Sequence, residues 1–190
     1  MDEKSFVIAA ACQAVADGDP NAAAHVLRQQ YPFAPEEITL RRYGPVESAR
    51  VFVRDGFIDR YTGNTLVFPP VLRILSVVLP SEFPFHPHWK TDVTHPAFWE
   101  VGATVDHLVP VTRGGADDES NWVTTSMARN SAKMNWTLDE LGWTLHPPGD
   151  MQEWDGLLHW FLEYTVAHPE TVTSNLIKQW QRAAKLATVA

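Results

Sequence analysis

"VDHLVPVTRGGADDESNW", residues 105–122, sets an aspartate beside a histidine in an apolar run, turns through Gly114 and Gly115, and returns to an asparagine and a tryptophan. Successive strand residues point to opposite faces, so Asp106 and His107 on one strand have separate surroundings and can take separate tasks. The run "TVDHLVPV" (104–111) and the run "WVTTSM" (122–127) read as two strands on either side of the turn "RGGADDES" (113–120). A helix is expected next, and the spacing of three puts Asn130 and Lys133 on one of its faces. Hydrolysis of a phosphodiester needs a base to activate water and a cation to stabilise the leaving oxygen. Two strands and a helix that gather Asp106, His107, Asn121 and Asn130 offer groups for both.

Working outward, "TLDE" (137–140) is a capping-box signature for a short helical turn ended by Gly142. Two amphipathic helices are expected at 150–167 and 172–187, with Trp154, Leu158, Phe161 and Trp180 as apolar anchors. Upstream, residues 68–99 are dense in proline, aromatic and aliphatic residues, and "VLRILSVVL" (71–79) suits a short buried helix. "ARVFVRDGF" (49–57) looks extended, with Gly56 and Gly63 as turn formers. Residues 31–50, with Pro32, Pro35 and Pro45, read as a connecting stretch. The chain opens with helices at 4–16 and 20–30, the second started by Asp19 as N-cap and Pro20 at its first position. The expected divisions are a helical region at 1–48, a central core at 49–146 and a helical tail at 147–190.

A chain of 190 residues, 45% hydrophobic and 20% charged, can bury a real core. Its only cysteine, Cys12, excludes an internal disulfide and any cysteine-built zinc site, and fits a reducing compartment. The start MDEK and the interruption of "FVIAAACQAV" by Gln13 do not read as a secretory signal. No apolar run of about 18 residues occurs, so a cytoplasmic protein with no membrane span is expected. The formal charge of −8 argues against a generic basic nucleic-acid binder, but the charge is segregated. Residues 41–73 hold Arg41, Arg42, Arg50, Arg54, Arg60 and Arg73 against three acids, whereas 137–170 hold seven acids and neither lysine nor arginine.

"DH" at 106–107, Pro110, the Gly-Gly turn, Asn121 fourteen positions after His107, Asn130 nine further on, and Lys133 together resemble the bacterial His-Asn-His (HNH) endonucleases. The resemblance covers Val101 to Trp136. It implies an α+β fold, with a ββα-metal nuclease core flanked by the N-terminal helical hairpin and the C-terminal helices. It implies His107 as general base, Asp106 and Asn130 as metal ligands, and Asn121 as the residue that braces the ribbon and orients the histidine. The reaction implied is hydrolysis of DNA to a 5′-phosphate. A carboxylate and an amide oxygen suit a hard cation that keeps several waters, so Mg2+ or Mn2+ is expected.

Many members of that family fasten the fold with two Cys-x-x-Cys pairs around a structural zinc. "DRYTG" (59–63) and "SMAR" (126–129) stand where those pairs would lie, so no structural zinc is expected. Packing of the 68–100 stretch with Trp122 and Trp136 is the expected substitute. Lys133, Arg113 and Arg129 are candidate phosphate contacts, double-stranded DNA is the expected substrate, and the 41–73 arginines are candidates for sequence preference. A homodimer would allow cuts on both strands. The cluster His86, His88, Asp92 and His95 reads as a rigid proline loop rather than a second metal site. Two other classes stay open: a catalytically silent nucleic-acid-binding module, and a protein that binds a partner through its acidic 137–170 surface.

Overall fold

The computed structural model describes residues 3–33, 43–172 and 174–188 and divides into two compact units, Met1–Ile38 and Thr39–Ala190. The first unit is a helical hairpin of α1 (Glu3–Ala16) and α2 (Pro20–Gln30). Asp19 caps α2 by accepting from the Ala22 amide, and Pro20 occupies the first turn, where its missing N–H costs nothing. Arg41 and Arg42 lie outside the described residues, as does Pro35.

The second unit runs α3 (Pro45–Arg54), α4 (Pro69–Val78), α5 (Ala97–Glu100), β1 (Ala103–His107), β2 (Trp122–Ser126), α6 (Met127–Lys133), α7 (Leu138–Leu141), α8 (Leu158–Ala167) and α9 (Asn175–Ala187). It mixes helices with one two-stranded antiparallel sheet, in which Asp106 faces Val123 and His107 faces Trp122. Its core is aromatic. Phe68 meets Phe57, Phe161 and Trp180 edge to face at 6.0, 5.4 and 5.3 Å, and Phe52 stacks on Trp180 at 6.2 Å. No helix among the described residues is long and apolar enough to cross a membrane.

One expectation about local structure is overturned. Residues 49–57 are not extended: Pro45–Arg54 is helix α3. Val51 and Val53 bias the segment toward strand, but Pro45 sits in the first turn and the Glu47 carboxylate accepts from the Gly44 amide at 2.9 Å. Buried Ser48, Ala49 and Phe52 then share a face at helical spacing, against which α9 packs. The first tail helix also starts later than expected, at Leu158. Gly156 and Leu157 adopt positive φ of 65° and 63°, and Asp155 accepts from the Leu157 and His159 amides to start the turn there. A side chain at Gly156 would overlap the Phe57 ring, so the position is closed to other residues twice over.

Besides the buried Trp122, which packs in the core as expected, two buried carboxylates hold β2 in place. Asp55, 0% exposed at the end of α3, accepts from the Thr124 amide at 2.7 Å and from Arg60 at 2.8 Å and Arg54 at 3.0 Å. Asp59 is 2% exposed and accepts from the Ser126 amide at 3.0 Å, the Thr125 hydroxyl at 3.1 Å and the Tyr61 amide at 3.0 Å. Asp59 belongs to "DRYTG" and Ser126 to "SMAR", so a carboxylate joins the two segments directly. Trp136, expected in the packing, is 48% exposed.

Hydrogen bonds to a charged group contribute about 1.5–3 kcal/mol each, and an orphaned buried donor costs as much again. Asp59→Ala is therefore expected to lower stability by about 3 kcal/mol, read as a lower urea midpoint, with Asp59→Asn falling between the variant and the native chain.

Candidate functional site

β1, β2 and α6 assemble the site. The turn between the strands depends on glycine: Gly114 has φ of 86°, and a Cβ on Gly115 would overlap the Val109 carbonyl and crowd the Asn121 amide. Asn121 closes this loop. Its Oδ1 accepts from the Val109 amide at 2.9 Å, and its Nδ2 donates to the Val109 and Ala116 carbonyls, each at 2.8 Å. Its amide thus ties the loop together, and makes no hydrogen bond to the His107 ring.

The residue that meets the His107 ring is Asp117, whose Oδ1 lies 2.8 Å from Nε2. The Trp122 indole N–H points at the same nitrogen from 3.0 Å. These contacts compete, since a nitrogen that accepts from Trp122 has no proton for Asp117. A bare lone pair 2.8 Å from a carboxylate oxygen is repulsive, so we assign the Nε2 proton to Asp117, the shorter and charge-assisted bond. Nδ1 then carries the lone pair, and it has no hydrogen-bond partner among the described residues. Tyr43 and Trp122 flank the ring, with centroids 6.0 and 6.2 Å away. His107 is 5% exposed and Trp122 4% exposed, so the indole is both core and site.

Asp106 leaves β1 on the other side, as strand alternation requires. Its Oδ2 accepts from the Tyr61 hydroxyl at 2.7 Å and lies 3.0 Å from the Lys133 ammonium. Burial, and after it the Asp106 charge, pushes the Tyr61 phenol well above its ordinary value, so it stays a donor. Lys133 is a correction to the sequence reading. It is 0% exposed, and its ammonium also donates to the His107 carbonyl at 2.7 Å, so it meets no phosphate at the surface. Asn130, one turn earlier on α6, donates its Nδ2 to the Val105 carbonyl at 3.2 Å. The pair three apart on the helix thereby caps two carbonyls two apart on the strand.

Arg113 is spent on Glu140, both of whose oxygens lie 2.6–2.7 Å from one guanidinium nitrogen. That bond is the main reason the Glu140 carboxyl is held down at about 2. Arg129 is exposed, has no ion pair among the described residues, and lies 5.3 Å from the Trp143 ring centroid. Of the described 41–73 arginines, Arg50 pairs with Glu47 and Glu119, while Arg54 and Arg60 serve Asp55.

A metal at this site would find two oxygens, Asp106 Oδ1 and Asn130 Oδ1, neither of which has a hydrogen-bond partner among the described residues. No cluster of three or more His, Cys, Asp or Glu that could hold a metal occurs among the described residues, the His86 loop included. Two hard oxygens fit a largely hydrated Mg2+ or Mn2+. Lys133 already offsets the Asp106 charge, which weakens the attraction of these oxygens for a further cation.

The sequence reading missed Asp117 and Tyr61. Asp117 carried a signal, as a carboxylate just beyond a Gly-Gly turn that folds back on the strand; Tyr61 is 45 residues from Asp106 and carried none.

Lys133→Met leaves Asp106 buried against no cation, a change that costs about 3–5 kcal/mol. A lower thermal midpoint is expected, recovered in part by adding Asp106→Asn in a double-mutant cycle read by calorimetry.

No family model, no curated protein and no solved structure matches the chain.

Proposed function

We propose that the chain is a metal-dependent endonuclease hydrolysing phosphodiester bonds in DNA, with a ββα-metal core formed by β1, β2 and α6. The supporting observation is the 2.8 Å contact of Asp117 with His107 Nε2, which with the assigned tautomer leaves Nδ1 as a lone pair with no partner among the described residues. His107 Nδ1 takes the proton of the attacking water. Asp117 holds the ring through the Nε2 proton and balances the imidazolium that forms, an arrangement that general-base catalysis requires. Asn121 keeps Asp117's loop folded over the ring through Val109 and Ala116. Arg129 is the cation on α6 left to meet a phosphate. Asp106 and Asn130 would hold a divalent ion, which when bound supplies charge stabilisation at the leaving oxygen.

The second reading is a silent binding module, favoured by one observation: the Lys133 ammonium already sits 3.0 Å from the carboxylate expected to hold the metal. Incubation with supercoiled plasmid and Mg2+ or Mn2+, with and without EDTA, separates the two. Nicking that EDTA stops is expected, and intact plasmid under every metal condition supports the silent module.

His107→Ala is expected to slow nicking by about 10²–10⁴-fold, and Asp117→Asn by about 10–100-fold, with DNA binding retained in both by gel shift. Full activity in His107→Ala removes the assigned base. Affinity for DNA is expected to fall with salt at a log-log slope of about −0.9 per phosphate neutralised. Arg129→Ala should reduce that slope by about one unit, whereas a slope unchanged by the substitution places the phosphate contact elsewhere.

A further inference from the structure

In the second unit a cavity of about 650 Å³ opens between α3, α4, α9 and the start of β1, a volume usual for small-molecule sites. Its walls are mostly aromatic and aliphatic, with Phe85, Trp89, Phe98 and Trp180 among the rings that line it. One charged side chain faces it, Arg73 on α4, and no acid does. The Arg73 guanidinium carbon lies 3.4 Å from the centroid of the Phe85 ring. Its Nη1 is buried and lacks a hydrogen-bond partner among the described residues. No ion pair to Arg73 is present among the described residues.

A half-buried guanidinium with one nitrogen out of water and no counter-ion among the described residues is a poorly balanced charge in an apolar wall. Other buried charges in this unit are matched: Lys133 by Asp106, Arg60 by Asp55. No acid lines the cavity beside Arg73, and the space there has room for an anion carried on an apolar body.

We propose that this cavity binds a small aromatic carboxylate, its carboxylate on Arg73 and its ring among Phe85, Trp89, Phe98 and Trp180. A planar carboxylate matches the guanidinium fork, and its single charge balances the single cation. A phosphate dianion would keep one charge desolvated. Flat rings suit walls that present edges and faces of aromatic side chains. The site is separate from the proposed nuclease centre and does not rest on it, although Thr104 and Val105 of β1 line the cavity and Val105 also carries the carbonyl that Asn130 caps.

The test uses the full chain and three probes of one shape, 2-naphthoate, 2-naphthamide and 2-naphthyl phosphate, titrated by calorimetry. Saturable binding of naphthoate is expected, with naphthamide about tenfold or more weaker, as the loss of a charge-assisted hydrogen bond implies. In Arg73→Met the acid and the amide should bind alike. Arg73→Lys, which keeps the charge and loses the fork, should fall between; circular dichroism establishes that each variant is folded. Should Arg73→Met not fold, Thr104→Trp at the cavity wall is expected to remove naphthoate binding with the fold intact. Equal binding of acid and amide to the native chain, unchanged naphthoate binding in Arg73→Met or Thr104→Trp, preference for the phosphate, or no binding of any probe at millimolar concentration overturns the proposal.

Discussion

The second unit depends on two carboxylates taken out of water. Asp55 and Asp59 are almost completely buried, and each is repaid by at least three hydrogen bonds, including the outward amides of β2 at Thr124 and Ser126. Burying an unpaired carboxylate would be prohibitive. With Arg60 and Arg54 on Asp55, and backbone and hydroxyl donors on Asp59, the desolvation is met where the strand must be fixed. A strand five residues long has little to hold it otherwise, since isolated two-stranded sheets are marginal in water. These contacts span 66 to 69 residues of chain, so the position of β2 depends on α3 and the 59–63 turn.

The same logic of fixed partners shapes the candidate site. Asp106 is approached by a phenol and an ammonium, His107 by a carboxylate and an indole, and neither residue relies on solvent for orientation. Side chains held in this way need little reorganisation when charge develops beside them. The Lys133 ammonium touches both the carboxylate on one side of β1 and the carbonyl of its neighbour, so one buried group sets the strand and its aspartate together.

Local signals in the sequence carried the elements that local chemistry decides. The Asp19–Pro20 start, the "TLDE" capping box and the Gly-Gly turn announce helices and turns through hydrogen bonds made within four residues, and each forms. The alternation of the expected strand 104–111 gave β1 its two faces, but the strand ends at His107, and Val111–Arg113 turn as a short 3-10 helix after Pro110. The 49–57 segment misled because Val51, Phe52 and Val53 have strand propensity, which packing against α9 overrides. The partners of the site were illegible for a related reason: Tyr61, Asp59 and Asp55 reach it across more than forty residues, and no spacing rule covers such distances. Lys133 was misplaced because lysine is almost never fully buried unless paired, and its pair, Asp106, had already been assigned to a metal.

Seen from its rims, the two-stranded sheet has most of the outward groups of β2 and part of those of β1 capped, while the Val105 and His107 amides meet no acceptor among the described residues. On β2 the outward groups are taken by Arg54 at the Trp122 carbonyl, Asp55 at the Thr124 amide, the Arg60 amide at the Thr124 carbonyl and Asp59 at the Ser126 amide. On β1 the capped groups are the Ala103 amide, by the Val67 carbonyl, the Val105 carbonyl, by Asn130, and the His107 carbonyl, by Lys133. Open strand edges are templates for pairing with other chains. Here side chains, with the Arg60 amide and the Val67 carbonyl, occupy much of the edge that a third or fourth strand would pair with, which leaves little of the smallest possible sheet open to its own kind.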